Sequence, residues 1–191
     1  MFVDVSHWQG EMDWEAAKNA GVTHAYIKAS EGLYKDPRFE ENWVKAKAAG
    51  IKRGAYHYFL NSVDWYAQAQ FFHGVVGDDQ GELEPALDVE DTGGVVRPGP
   101  ILSWLRAVEL AWGGIKPIIY TAWWFWDDYL DGTEWAKEYK LWVMSYTNGT
   151  EPWRIPKDWN GEYHLWQYTS TARGRDYGAR STYIDLNRYA V

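Results

Sequence analysis

Cysteine is absent from all 191 residues, which excludes a disulfide scaffold and a thiol nucleophile. This absence suits a protein made in a reducing cytosol without fixing the compartment. Long apolar runs are also missing, since nowhere do 18 apolar residues follow one another, and the sequence predicts no membrane span. The opening Met-Phe-Val-Asp has neither a basic region nor a long apolar run, so we expect no signal peptide.

Basic residues are scarce, with 19 Lys and Arg against 27 Asp and Glu and a net charge of −8. Nucleic acid requires a basic face, so we expect no nucleic-acid partner. No Pro/Gly/Ser-rich or charge-rich stretch interrupts the chain, and the sequence therefore predicts a single domain over residues 1–191 with no linker and no second module. We expect it to be a monomer.

Recognised metal-site and nucleotide-site patterns are also missing. The five histidines are scattered and show no spacing such as H-E-x-x-H, so we expect neither a metal nor a cofactor. A ring of carboxylates could hold Ca²⁺ or Mg²⁺, but sugar binding explains the same oxygen atoms equally well. Gly-x-Ser-x-Gly and phosphate-loop patterns do not occur, and Ser6 has no sign of a paired base, which argues against a serine hydrolase.

Aromatic residues are abundant instead, with 14 Trp and 14 Tyr. Large aromatic side chains commonly form a core, but a surplus of Trp and Tyr is also typical of saccharide clefts. Their flat faces stack on pyranose rings while the indole N–H or phenol O–H serves hydroxyl groups. The candidates for such a groove are Tyr58, Tyr120, Trp142 and Trp166, each of which is as compatible with a place in the core.

Short apolar runs alternate with helical patterns, which predicts an α/β fold. The eight candidate strands are Phe2–Ser6, His24–Ala29, Arg53–Phe59, Pro85–Glu90, Pro117–Thr121, Leu141–Tyr146, Tyr163–Tyr168 and Tyr183–Leu186. The helices are predicted after Asp13, after Asp36-Pro37, from a Ser62 cap to about Val76, from about Pro100 to Gly113-Gly114, and over Trp123–Tyr129. Eight strands with fewer than eight helices indicate a modified, incomplete (β/α) barrel, in which chemistry lies at the C-terminal ends of the strands.

Carboxylates mark those strand ends. Asp88 and Glu90 close the fourth run and point to one side of it, because side chains alternate along a strand. Two carboxyl groups so close cannot easily both ionise, so one tends to keep its proton while the other is an anion. Glycosidic cleavage needs such a pair of proton donor and anion. Asp4 lies in the first run and Asp185 in the last. Three further side chains near run ends, Tyr58, Tyr120 and Gln167, are predicted to line the substrate groove.

Three separated motifs resemble the family 25 glycoside hydrolases, the Chalaropsis-type lysozymes found in many bacteriophage endolysins. They are Asp4-Val-Ser-His-Trp-Gln-Gly10, which is similar to D-x-S-x-x-Q-G, then Asp88-x-Glu90, and finally Ile184-Asp185-Leu-Asn187. The motifs occur in order and span essentially the whole chain. The resemblance implies a modified barrel of eight strands with fewer than eight helices.

The resemblance also implies a retaining muramidase that cuts the β-1,4 bond between N-acetylmuramic acid and N-acetylglucosamine. Glu90 is expected to be the general acid/base. The positive charge that develops at the anomeric carbon is expected to be stabilised by Asp88 and Asp185, or to be captured by the carbonyl oxygen of the substrate's own acetamide. Asp4 is expected to assist in catalysis or to bind a sugar hydroxyl. The alternatives are an N-acetylglucosaminidase or chitinase-like hydrolase and a non-catalytic saccharide-binding barrel. The implied setting is the bacterial cell wall, reached by release in a phage lysis pathway.

Overall fold

Eight strands close into a barrel around which five helices are distributed unevenly. The computed structural model describes residues 1–190. Strand pairing runs β1-β9-β8-β7-β6-β5-β4-β2 and closes through β1 and β2, with β3 added at the edge of β2. The predicted incomplete (β/α) barrel with fewer than eight helices is confirmed.

The bounds of the nine strands and five helices follow the alternating sequence pattern. The strands are β1 (Phe2–Val5), β2 (His24–Glu31), β3 (Tyr34–Lys35), β4 (Lys52–Tyr58), β5 (Ala86–Asp88), β6 (Ile118–Ala122), β7 (Leu141–Met144), β8 (Leu165–Arg173) and β9 (Tyr183–Tyr189). The helices are α1 (Trp14–Asn19), α2 (Phe39–Ala48), α3 (Trp65–Val76), α4 (Pro98–Ala111) and α5 (Trp123–Tyr129). None of the helices described is long and apolar enough to cross a membrane.

The last strand, β9, runs antiparallel to both of its neighbours, whereas the other barrel strands pair in parallel. It pairs Asp185 with Asp4 of β1 and Asn187 with Gln167 of β8. Residues opposite each other in a ladder share a face. The reversed strand therefore delivers its polar side chains to the same end of the barrel as the C-terminal ends of the parallel strands.

Two apolar layers hold the barrel. A large core lies between the strands and the helices and includes Trp104, Trp126 and Trp166. A smaller cluster fills the barrel interior with Phe2, Tyr26, Ala86, Ile118, Tyr120, Trp142 and Leu165. Because this cluster plugs the barrel, the interior is open only above it, at the C-terminal ends of the strands.

Several predicted helix starts are wrong, and each has a local cause. Asp64, not Ser62, caps α3, its side chain accepting from the Ala67 amide at 2.9 Å. Asp36 does not cap α2, because its carboxylate accepts from the amides of Arg38 and His7. The early proline of α4 is Pro98, so that helix begins before Pro100.

Strand ends were also misplaced. The β3 hairpin strand was not predicted, because two residues carry no periodic pattern. The run predicted as Tyr163–Tyr168 continues to Arg173, and the Thr-Ser-Thr sequence in this extension gives β8 a loop-like composition. In the other direction, β5 ends at Asp88, so Glu90 lies just beyond the strand.

Candidate active site

A cavity of about 340 Å³ opens at the C-terminal ends of the barrel strands, within the size range of small-ligand sites. It contains all four of the carboxylates singled out in the sequence. Its lining consists of Asp4, Ser6, Trp8, Gln9, Lys28, Tyr56, Tyr58, Asp88, Glu90, Tyr120, Trp142, Met144, Tyr146, Gln167 and Asp185.

Strand register places four of these side chains in one layer. Tyr58, Asp88, Tyr120 and Trp142 are successive partners across β4, β5, β6 and β7. Trp142 is almost fully buried and forms part of the floor, where its ring meets that of Tyr120 edge-on at 4.8 Å between centroids. The layer sets Asp88 between aromatic walls, which exclude water from its carboxyl group.

Backbone hydrogen bonds on both sides fix the segment that carries Asp88 and Glu90. The Val89 amide donates to the carbonyl of Tyr120 at 2.9 Å, and Thr121 Oγ1 donates to the carbonyl of Val89 at 2.8 Å. The Phe59 amide donates to the carbonyl of Asp88 at 3.0 Å. Glu90 is thus held in place immediately past the strand end, facing the cavity.

Asp4 is held by amide donors from two neighbouring strands. Gln167 Nε2 donates to both of its carboxylate oxygens, at 3.1 and 3.2 Å, and Asn187 Nδ2 donates to Oδ1 at 2.6 Å. These donors favour the ionised form of Asp4. Burial opposes them and has the larger effect, raising the pKa of Asp4 to about 6.

A second set of donors orients those two amides. The hydroxyl groups of Tyr120 and Tyr146 donate to Gln167 Oε1 at 2.9 and 2.8 Å. Trp142 Nε1 donates to Asn187 Oδ1 at 2.7 Å. Because each amide oxygen is occupied by these donors, each amide NH₂ group must face Asp4. Three of the residues predicted to bind substrate, Tyr120, Trp142 and Gln167, therefore also belong to the support of Asp4.

The other three carboxyl groups also have pKa values above their usual range, and Asp88 and Glu90 lie close enough that one of them keeps a proton more readily than both ionise. Burial raises the pKa of Asp185 to about 8, with the nearby charge of Asp4 adding to the shift. Burial also raises the pKa of Glu90, again with a contribution from Asp4, and raises that of Asp88 well above its usual value, with Glu90 as the next cause. Crowded carboxyl groups in a poorly hydrated cavity share protons, which is the condition for a general acid near neutral pH.

Asp88 has an unused hydrogen-bonding atom. Its Oδ1 is buried and has no partner among residues 1–190. Lys28 lines the same cavity, but its ammonium group pairs with Glu31, so the pairing with Asp88 that a purely structural role would require is not formed. A buried unpaired oxygen is costly, and a ligand that carries an N–H group would remove that cost.

The first motif folds into a turn that fixes the rim of the cavity. The Ser6 amide donates to Gln9 Oε1 at 2.8 Å, and the Trp8 amide donates to Ser6 Oγ at 3.2 Å, a capping box around the short helix His7–Gln9. Gly10 follows with φ at 70°, which favours glycine. Ser6 and Gln9 therefore have a structural reason to occur in the motif.

The structure brings eight of the nine predicted site residues to the cavity, and the exception is Trp166. The prediction that Trp166 lines the groove is wrong: its side chain is 0% exposed and belongs to the core between barrel and helices. Side chains alternate along β8, so Leu165 and Gln167 face the barrel interior while Trp166 faces outwards. Its indole N–H donates to the Ser145 carbonyl at 2.7 Å.

Sequence reasoning missed several lining residues, mainly Trp8, Lys28, Tyr56, Met144 and Tyr146. The alternation of strand side chains was a usable signal for two of them. Tyr56 is two residues before Tyr58, and Met144 is two residues after Trp142, so each shares a face with a residue that had been predicted.

The Asp185 carboxyl group makes stability depend on pH. Its pKa is 3.8 ordinarily and about 8 in the folded protein, so unfolding releases a proton between these values. Stability is then highest below about pH 4 and falls as pH rises towards 8. We expect Asp185→Asn, which cannot ionise, to raise Tm at pH 8.5 by on the order of 5 °C and to change it little at pH 4.5. Calorimetry at both pH values measures this.

The matched control for that experiment is Asp78→Asn, because Asp78 is exposed. It should leave Tm unchanged at both pH values. If Asp185→Asn raised Tm equally at both pH values, the gain would come from packing and not from ionisation, and the pH argument would be lost.

A family model described as Glycosyl hydrolases family 25 matches residues 3–177. Among curated proteins, the chain is 35% identical to the uncharacterized protein YegX of Escherichia coli strain K12, over 97% of this chain and 67% of that protein. It is 32% identical to lysozyme M1 of Streptomyces globisporus, over 98% of this chain and 66% of that protein. The chain spans about two thirds of the length of these relatives.

Solved structures agree with the sequence relatives. The bacterial lysozyme from Streptomyces coelicolor superposes with a TM-score of 0.79 at 30% identity, covering 99% of this chain and 91% of that one. This similarity extends over the barrel and over every strand that contributes to the cavity.

Proposed function

The chain belongs to glycosyl hydrolases family 25 and is a muramidase, and we propose that Glu90 transfers the protons of its reaction. The reaction hydrolyses the β-1,4 bond between N-acetylmuramic acid and N-acetylglucosamine in the peptidoglycan of bacterial cell walls. The observation that supports the residue roles is the cavity that holds Glu90 beside Asp88, whose buried Oδ1 is unpaired. Release in a phage lysis pathway remains a prediction.

Glu90 fits the acid/base role because it lies past the end of β5, is less buried than Asp88, and has a raised pKa. In the first step its proton passes to O4 of N-acetylglucosamine as the bond from O4 to the muramic C1 breaks. In the second step the Glu90 carboxylate takes a proton from water, and the water oxygen bonds to C1 as the bond that C1 formed in the first step breaks. Two displacements at C1 retain its configuration.

Asp88 fits a role in substrate-assisted cleavage. The acetamide N–H of N-acetylmuramic acid would donate to the unpaired Oδ1, which turns the acetamide carbonyl oxygen towards C1. That oxygen bonds to C1 as the leaving group departs. Asp88 is ionised when Glu90 holds the proton that the two carboxyl groups share, and its negative charge then stabilises the positive charge that develops on the acetamide. Asp4 is unsuited to act as the nucleophile because Gln167 and Asn187 occupy its oxygens.

Asp4 and Asp185 support this chemistry through their charge states. The charge of Asp4 helps to raise the pKa of Glu90 and Asp185, which keeps a proton available in the cavity. The cation stabilisation expected of Asp185 requires its ionised form, which burial disfavours below about pH 8. Near neutral pH, Asp185 is better suited to donate a hydrogen bond to a sugar oxygen.

The rival functions predict different behaviour. A non-catalytic saccharide-binding barrel would use its carboxyl groups only as hydrogen-bond partners of sugar hydroxyl groups, so it has no need of a proton donor beside Asp88. An N-acetylglucosaminidase would use the same carboxyl groups with the opposite sugar on the donor side. These two hydrolases differ in the sugar that each leaves at the new reducing end.

Product analysis distinguishes them. We expect digestion of purified peptidoglycan, borohydride reduction and sugar analysis to yield muramitol and little glucosaminitol. The muramic lactyl group and its peptide need an open cleft on the donor side, and the cavity is open above its floor. Glu90→Gln enzyme is the control, and its digest should contain neither alditol above the undigested background. Mainly glucosaminitol would reverse the assignment of the two sugars and leave the carboxylate roles in place.

A further inference from the structure

A second cavity, of about 400 Å³, opens beside the catalytic cavity and shares Trp8 and Lys28 with it. We call this second cavity the side groove. Its other lining residues are His7, Glu31, Leu33, Tyr34, Asp36 and Leu60. Glu31 and Tyr34 pair across the β2–β3 hairpin, at the C-terminal end of β2. The side groove therefore adjoins the catalytic cavity at Trp8 and Lys28, at the same end of the barrel.

Trp8 is exposed and yet held in a fixed orientation. Its side chain is 75% exposed, which leaves most of a large apolar surface in water. The capping box fixes its backbone, and its ring lies 4.5 Å from the His7 ring. His7 Nδ1 is in turn 2.8 Å from Asp36 Oδ2. An exposed aromatic ring that is already ordered loses little entropy when a ligand stacks on it.

The hairpin places a second exposed ring in the side groove. Tyr34 is 62% exposed. The turn before it is fixed, because the Gly32 amide donates to the Tyr58 carbonyl at 3.2 Å and Gly32 adopts a φ of 52°. The Asp36 amide donates to the Ala29 carbonyl at 3.0 Å and ties down the other end. Trp8 and Tyr34 are therefore two ordered aromatic faces on the lining of one groove.

The charged groups of the side groove are already engaged in contacts with one another. Lys28 pairs with Glu31, and Asp36 accepts from the backbone amide of His7 at 3.0 Å as well as contacting its ring. A charged ligand would have to compete with these internal pairs. A neutral ligand with apolar faces and hydroxyl groups would instead stack on the rings and bond to the edges of the paired groups.

We propose that the side groove is a saccharide subsite, which binds an N-acetylhexosamine unit of the glycan strand beyond the sugars at the cleaved bond. This inference rests on the proposed function, because a polymer cleaved internally must leave the catalytic cavity on both sides, and the side groove adjoins that cavity at Trp8 and Lys28. The stem peptide of peptidoglycan is the other possible occupant. Its ionised groups suit the self-paired charges of the side groove less well than a sugar does.

The test uses Tyr34→Ala and peptide-free glycan oligomers of increasing length. Tyr34 lines the side groove but not the catalytic cavity. We expect KM for an octasaccharide to rise about three- to tenfold, the worth of one aromatic contact, with kcat unchanged. On the shortest oligomer that the native enzyme cleaves, the change should be less than twofold. Tyr34→Phe keeps the ring and should behave as the native enzyme. Tyr66→Ala removes an equally exposed ring on α3 and should change nothing.

Three outcomes would overturn the subsite. The first is an equal effect of Tyr34→Ala on all oligomer lengths, and the second is no effect at any length. The third is an effect confined to glycan that carries stem peptides, which would assign the side groove to peptide. Calorimetric binding of the octasaccharide to Glu90→Gln, with and without Tyr34→Ala, separates this result from the proposed function. Weaker binding upon Tyr34→Ala would support the subsite even if the native enzyme cleaved a different bond.

Discussion

Glu90→Gln is expected to lower kcat for peptidoglycan hydrolysis by on the order of a hundredfold or more, with the fold and wall binding retained. Glutamine keeps the shape of the side chain but cannot exchange a proton, and a positioned acid/base contributes about 10²- to 10⁴-fold. The segment is held through backbone atoms of Asp88 and Val89, so the substitution removes none of those bonds. Initial rates of turbidity loss on purified walls, with sedimentation binding in parallel, measure both properties.

The control for this substitution is Glu134→Gln, the same chemical change at an exposed glutamate. It should retain native activity and native Tm. A Glu90→Gln enzyme that kept more than about half of the native rate would exclude Glu90 as the acid/base. The four-carboxyl cavity would then have to supply the proton from Asp185, whose pKa is raised to about 8.

The barrel was predictable because its strands are short apolar runs separated by helices with clear stops. Gly50 follows α2 and Gly113 follows α4 almost directly, and Trp123–Tyr129 is helical over the predicted range. The direction of β9 was not predictable, since a strand pattern has the same period whichever way the chain runs. The antiparallel insertion of β9 is what aligns Asp185 with Asp4 and Asn187 with Gln167.

The carboxylates of the site were predictable from motif and alternation, whereas their hydrogen-bonding partners were not. Asn187 was part of a quoted motif, but only the structure shows its side chain donating to Asp4 while accepting from Trp142. Trp166 was misplaced for the reverse reason. A tryptophan between two inward-facing residues of a strand must face outwards. The residue type alone does not show which face of the strand the side chain occupies.

The aromatic residues serve both the core and the catalytic cavity, and the sequence alone does not show which residues serve which. Eight of the 14 Trp side chains are buried, which makes the core the main user of tryptophan. Most of the aromatic residues that line the catalytic cavity are tyrosines, namely Tyr56, Tyr58, Tyr120 and Tyr146. A tyrosine at a strand end can close a wall and still present its hydroxyl group, as Tyr120 and Tyr146 do to Gln167.

Asp88→Asn is expected to lower kcat/KM by on the order of a hundredfold, the usual loss when one preorganised electrostatic partner of a transition state is removed. Asparagine fills the same space but brings no negative charge to the acetamide. The pH profile should change as well. The charge of Glu90 makes Asp88 harder to ionise. Because the repulsion between two charges is mutual, the charge of Asp88 must also make Glu90 harder to ionise. Removing Asp88 therefore lowers the pKa of Glu90, and the basic limb of the kcat/KM profile, where Glu90 loses its proton, should move to lower pH.

The comparison variants for Asp88→Asn are Asp78→Asn, which should match the native enzyme, and Asp88→Ala with added azide, which tests how Asp88 acts. If Asp88 orients the acetamide, the bond at C1 is still made by the substrate's own oxygen, and azide should restore little activity. If Asp88 were itself the nucleophile, its loss would open space below C1, and azide would enter there to give an α-glycosyl azide. Detection of that product by mass spectrometry and NMR would replace substrate assistance with a covalent glycosyl–Asp88 intermediate. An unshifted pH profile in Asp88→Asn would mean that Asp88 and Glu90 do not share the proton used in cleavage.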